Sequence, residues 1–83
     1  MTKKDKLLKK TEESPRNLRF KEFITLLEQN NFVYDRTDGS HHQYYHTITG
    51  RTLSIQPTRN GTAKYYQVKQ FLSFFKEGKE EEN

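Results

Sequence analysis

The hydrophobic positions of this chain switch from a helical period to a period of two and back again. Phe20, Phe23, Ile24 and Leu27 recur at i, i+3, i+4 and i+7, the apolar stripe of an amphipathic helix. Lys21, Glu22 and Glu28 fall on its wet side. Ser14-Pro15 supplies an N-cap followed by a first-turn proline, and Asn17 is a second cap residue. Asn30-Asn31 closes the segment, so a helix is predicted over residues 18–29. From Phe32 to Thr37 the residues are β-formers in weak alternation, and Asp38-Gly39 is a strong hairpin signal. A second run from His41 to Thr49 alternates Tyr45, Thr47 and Thr49 with Tyr44, His46 and Ile48. Gly50-Arg51 turns the chain again, Leu53 and Ile55 give a short third strand, and Pro57 ends it. A polar loop from Thr58 to Lys64 leads into Val68, Phe71, Leu72 and Phe75, a second i, i+3, i+4, i+7 stripe. That predicts a helix over residues 65–77, with Gly78 as its C′ residue.

The predicted order is α-β-β-β-α: an α+β domain with a three-stranded antiparallel sheet, two helices on one face and the other face left wet. With 83 residues the chain has room for one domain. Hydrophobic residues are only 30% of it and mean hydropathy is −1.16, close to the range in which chains fail to fold. What rescues the fold is concentration: all six Phe and all five Tyr lie between Phe20 and Phe75. Residues 18–77 are therefore the expected folding unit, flanked by a basic, flexible N-terminal tail (1–17) and an acidic C-terminal tail (78–83). The absence of cysteine excludes disulfides, thiolate nucleophiles and Cys-based metal sites. No apolar run reaches the roughly 20 residues of a membrane span. Residues 1–17 lack the apolar core of a secretory signal, so a cytoplasmic protein is expected.

A net charge of +4 permits contact with a phosphate backbone without requiring it. The runs Lys3-Lys4-Asp5-Lys6 and Glu80-Glu81-Glu82 read first as solvated ends. Chemistry concentrates in Gly39-Ser40-His41-His42-Gln43-Tyr44-Tyr45-His46, which holds all three histidines directly after the hairpin turn. Consecutive strand residues point to opposite faces, so one of His41 and His42 should stand on the open side. Histidine both accepts and donates a proton near pH 7, as acid–base work on a ribose 2′-OH or a leaving 5′-oxygen demands. Exposed histidines that do nothing more than decorate a strand remain the competing reading. A metal site is not expected, because the three histidines do not share a face. Ser40 beside His41 makes no triad. Arg36, Arg51, Arg59 and Lys64 are expected to form a basic rim beside the histidines, although solubility explains them almost as well. The five tyrosines could stack RNA bases, but at least three are expected to serve packing.

Three segments go beyond pattern. Leu18-Arg19-Phe20-Lys21-Glu22-Phe23 opens the first helix, Gly39-Ser40-His41-His42-Gln43-Tyr44 follows the first strand, and Ala63-Lys64-Tyr65-Tyr66-Gln67-Val68-Lys69-Gln70-Phe71-Leu72 opens the last helix. Over residues 18–76 the chain resembles the HicA toxin family of bacterial type II toxin–antitoxin systems. The resemblance implies a double-stranded-RNA-binding-domain-like fold. It also implies a ribosome-independent mRNA interferase that needs no metal or other cofactor and is neutralised by a cognate HicB antitoxin. It puts the essential histidine in the motif from Gly39 to His42, with His41 ranked ahead of His42, and treats His46 as structural. In the same reading Gly39, Ser40, Arg36, Arg51, Arg59 and Lys64 would contact RNA. One departure is that many members carry Pro-x-His after the last strand, where this chain has Pro57-Thr58-Arg59. Two other readings stay open: a module of the same fold that holds RNA without cutting it, and a protein-interaction domain.

Overall fold

The computed structural model describes the backbone of residues 3–82 and the side chains of residues 5–74. Helix α1 (Lys3–Glu13) and a 3-10 turn (Pro15–Asn17) precede α2 (Phe20–Gln29), the strands β1 (Phe32–Asp38), β2 (His41–His46) and β3 (Thr52–Ile55), and α3 (Tyr65–Glu82). The three strands form one antiparallel meander in the order β1-β2-β3. The predicted α-β-β-β-α order is therefore observed, with one helix more ahead of it.

Alternation fixes the two faces of the sheet. Phe32, Tyr44, Leu53 and Ile55 are buried and meet Leu18, Phe23, Leu26, Leu27, Ala63, Val68 and Phe71 from the helical side. Phe71 is the hub of that core, with Phe23 edge-on at 6.2 Å and Phe32 at 6.0 Å. Two hinges use left-handed backbone. Asn31 (φ 69°) turns the chain from α2 into β1, and Gly39 (φ 63°) opens the two-residue hairpin loop 39–40.

Residues 3–13, expected to be part of a flexible tail, are the helix α1. Leu7 and Leu8 pack against the core, Thr11 is fully buried, and Lys10 Nζ bonds Glu22 Oε2 at 2.6 Å. Two leucines make too short a stripe to announce a helix. Docking on α2 supplies the stability that local sequence lacks. At the other end α3 runs through Gly78 to Glu82 rather than stopping at Gly78. A glycine costs a helix interior only about 1 kcal/mol, and the glutamates beyond it are good helix formers. Side chains from Phe75 onward, Phe75's place in the stripe included, lie outside the described residues. Strand β2 ends at His46, three residues sooner than predicted, because Gly50 N–H bonds His46 O and folds 47–50 into the turn. Ile48 is consequently exposed.

Helix α2 also starts later than its expected cap residues. Ser14 precedes the 3-10 turn and makes no side-chain cap bond, while Glu22 Oε1 accepts from Arg19 N at 3.0 Å at the true N-terminus. Segment 57–63 is pinned to this terminus. Ala63 N donates to Leu18 O at 2.8 Å, Phe20 N donates to Gly61 O at 3.0 Å, and Thr58 Oγ1 bonds Thr62 Oγ1 at 2.7 Å. Among the described residues no helix is long and apolar enough to cross a membrane.

Candidate active site

His41 and His42 begin β2 and face opposite ways. Tyr44, two residues after His42, is buried in the core, so His42 stands on the helix-covered face and His41 on the open one. Open-face Ser54 Oγ lies 3.3 Å from His41 Nδ1. His42 is half-buried. Its ring packs against Phe20 of α2 with centroids 5.4 Å apart, and its Nδ1 lies 3.3 Å from Thr37 Oγ1. No protein partner holds His42 Nε2 among the described residues. Two rings on opposite faces cannot flank one phosphodiester, so the pair cannot divide acid and base roles between them.

The end of the sheet where His42 sits is bound together by amide side chains that sequence reasoning did not single out. Gln56 follows Ile55, the cross-strand neighbour of His42. Its Nε2 donates to Ser40 Oγ at 2.8 Å, and its Oε1 accepts from Lys64 Nζ at 2.9 Å. Gln67, only 3% exposed, accepts from Gln56 N at 2.9 Å through Oε1. One signal for Gln67 was available: it stands four residues, one helical turn, before Phe71 of the apolar stripe in α3. Ser40, Gln56 and Lys64 thus form one hydrogen-bonded chain from the hairpin turn to the start of α3. Arg59, at the exposed tip of the pinned loop 57–63, has no bond or ion pair among the described residues. Arg19 and Lys21 flank Phe20, whose ring covers His42.

The expected basic rim is only partly assembled. Arg51 is at the far end: its carbonyl accepts from His46 N, and its guanidinium lies 5.1 Å from the Phe74 ring centroid. His46 is five residues along β2 from His41, about 17 Å at the strand rise. Arg36 is on the open face, opposite Gln43, with its guanidinium bonded to Asp35 at 2.8 Å and Asp38 at 3.1 Å. Short-range carboxylates therefore offset its charge. Gly39 and Ser40 form the hairpin loop beside His41.

The expectation that at least three tyrosines serve packing does not hold. Tyr34, Tyr45 and Tyr66 are 54%, 41% and 61% exposed, and only Tyr44 is buried. Leucines and phenylalanines suffice for this small core. Burial, with a smaller push from Glu28, raises the Tyr44 phenol above its usual value and keeps it neutral. His46 Nδ1 accepts from Ile48 N at 3.3 Å and Thr49 N at 3.1 Å, which ties it to the β2–β3 turn.

Among known proteins, neither a curated sequence nor a solved structure matches this chain. A family model described as the HicA toxin of bacterial toxin–antitoxin systems does match, over residues 20–76. That span runs from Phe20, over His42, through the hairpin and the Gln56–Lys64 chain and along α3, leaving α1 outside. The chain belongs to the HicA toxin family of bacterial toxin–antitoxin systems.

Proposed function

We propose that this toxin is an endoribonuclease that cuts mRNA, with His42 moving the proton and a HicB-type antitoxin covering the same surface to silence it. The observation that carries the reading is the surroundings of His42. Its Nδ1 is tied to Thr37 and its face to Phe20, leaving Nε2 for a substrate, while Ser40, Gln56 and Lys64 are bonded together at the same end of the sheet, where Gln56 follows the cross-strand neighbour of His42. Lys64 and Arg59 supply cations for phosphates at this end, and Arg19 and Lys21 extend them. Gly39 and Ser40 let the backbone of the turn approach the RNA. Arg51 is too distant to act on the same phosphate, and Arg36 contributes little charge between two carboxylates.

His42 takes precedence over His41 on these grounds. His41 meets Ser54 on the open side, where Arg36, opposite Gln43, is paired with acid. In the proposed reaction the histidine exchanges one proton with the ribose 2′-oxygen or the leaving 5′-oxygen. Holding the linkage in line contributes the larger share of the rate.

The test is incubation of a long single-stranded transcript in excess EDTA with the wild type, His42→Ala and His41→Ala. Cleavage by wild type and His41→Ala but not by His42→Ala is expected. Cleavage that survives His42→Ala would remove it from the chemistry. Intact RNA bound in a salt-sensitive way by folded wild type would indicate a binding module instead. No affinity at physiological salt would indicate a protein-interaction domain.

A further inference from the structure

Strand β1 does not keep regular alternation. The register shifts between Tyr34 and Arg36, so Asp35 is an extra residue opposite β2. In an unbroken strand Tyr34 and Thr37 would point to opposite faces. The bulge reverses the parity after Asp35: Tyr34 pairs with Tyr44 and Thr37 with His42, two positions of β2 that share the helix-covered face. Tyr34 and Thr37 thereby meet. Tyr34 Oη lies 2.6 Å from Thr37 Oγ1, which lies 3.3 Å from His42 Nδ1. The Tyr34 ring is held edge-on against Tyr44 at 5.7 Å, while the residue is 54% exposed.

We propose that the Tyr34–Thr37 hydroxyl pair, brought onto the His42 face by the bulge at Asp35, positions the His42 ring by bonding Nδ1 in each of its protonation states. The proposal rests on the reading of His42 as the proton-transfer group. A neutral imidazole has one N–H, and each hydroxyl has one hydrogen to donate and lone pairs to accept with. When Thr37 donates to Tyr34, it accepts from His42 Nδ1–H and leaves Nε2 with a free lone pair, the form a general base requires. Once Nε2 has taken a proton the ring is the imidazolium, the form a general acid requires: Nδ1–H still donates to Thr37, and Nε2–H carries the proton for the leaving oxygen. When instead Tyr34 donates to Thr37, the Thr37 hydrogen goes to Nδ1 of a neutral ring whose Nε2 carries the hydrogen. Each of these forms leaves every group satisfied, because the exposed Tyr34 oxygen ends the chain in water. The ring nitrogen facing the substrate can thus hold or lack its proton without rotating the ring. The 3.3 Å link is loose enough to tighten once substrate is bound. Tyr34 and Thr37 are positioning residues here, since neither is placed against the RNA.

The discriminating substitution is Thr37→Val, which removes the hydroxyl and keeps the branched shape at an exposed position. It should lower kcat for RNA cleavage about 3- to 10-fold with KM unchanged, the usual yield of one hydrogen bond. Tyr34→Phe should have a smaller effect in the same direction, and Thr37→Ser should restore kcat. Imidazole 15N shifts of His42 give a second readout that needs no catalysis: the Nδ1 shift should move in Thr37→Val, which removes its hydrogen bond, and not in Thr37→Ser. Unchanged shifts with wild-type kcat in Thr37→Val would overturn the proposal, as would a loss that Thr37→Ser fails to restore. Failure of the parent reading is seen separately, as cleavage that persists in His42→Ala. If wild type cuts nothing, the Nδ1 shift still decides whether the hydroxyl pair holds the ring.

Discussion

Replacing Gln67 with leucine should loosen the candidate site from behind. Gln67 is 3% exposed and accepts the Gln56 backbone N–H at 2.9 Å. Leucine fits the apolar surroundings of Val68 and Phe71 and keeps the helix, but it leaves a half-buried N–H with no acceptor. Such a group costs about 1–3 kcal/mol, and removing the buried amide offsets part of it, so a net loss of about 1.5 kcal/mol is expected. For a domain of this size that lowers Tm by about 6–12 °C. The damage should spread to the site, because the Gln56 side chain joins Ser40 to Lys64. Thermal unfolding followed by circular dichroism measures the first effect, and hydrogen exchange at the Gln56 amide isolates the bond itself. A Gln56 amide still protected in Gln67→Leu, with Tm within about 2 °C of wild type (under 0.5 kcal/mol), would refute the reasoning.

Other consequences follow from contacts outside the candidate site. Removing residues 1–13 takes away the half-buried Leu7 and Leu8, at about 1–1.5 kcal/mol each, so urea unfolding should show a loss of about 2–3 kcal/mol. An unchanged midpoint would mean that α1 does not dock in solution. The Lys10 ammonium bonded to Glu22, and then the Arg19 backbone amide, hold the Glu22 carboxyl below its ordinary value of 4.5. A carboxyl depressed on folding stabilises above its unfolded pKa and loses that contribution as pH falls through the folded one. The stability gap between wild type and Glu22→Gln should therefore be full at neutral pH and close below about pH 4.5, and it should stay under about 1 kcal/mol at a partly exposed pair. A gap that widens toward acid would contradict the sign. His46→Ala removes the acceptor of two turn amides and a ring 5.0 Å from Phe32, so a loss of about 1–2 kcal/mol is expected in chemical unfolding.

The alternation of periods already determined much of this protein. Phe23, Leu27, Val68 and Phe71 are where the two stripes put them, and Leu53 and Ile55 face inward as a strand before Pro57 should. These elements were legible because burial of an apolar face at a fixed period is a local property of the chain. The opposite orientation of His41 and His42 was legible for the same reason, since it follows from strand geometry alone.

What lay beyond the sequence depends on partners distant along the chain. Helix α1 has too few apolar residues to declare itself and gains its stability from α2. The role of Gln67 exists only because the end of β3 presents an amide to it, and Gln56 matters because Ser40 and Lys64 converge on it from opposite sides. Arg51 and Arg36 illustrate the converse: their charge was visible, but strand register carried one to the far end of the sheet and set the other between two aspartates. The bulge at Asp35 is the sharpest case. A single extra residue, fixed by cross-strand pairing rather than by any local preference, inverts the face of Thr37 and turns a solvent-side hydroxyl into the neighbour of His42. Local periodicity determines which residues are inside. Only the tertiary pairing decides which polar groups meet, because hydrogen bonds depend on tenths of an ångström that no sequence period encodes.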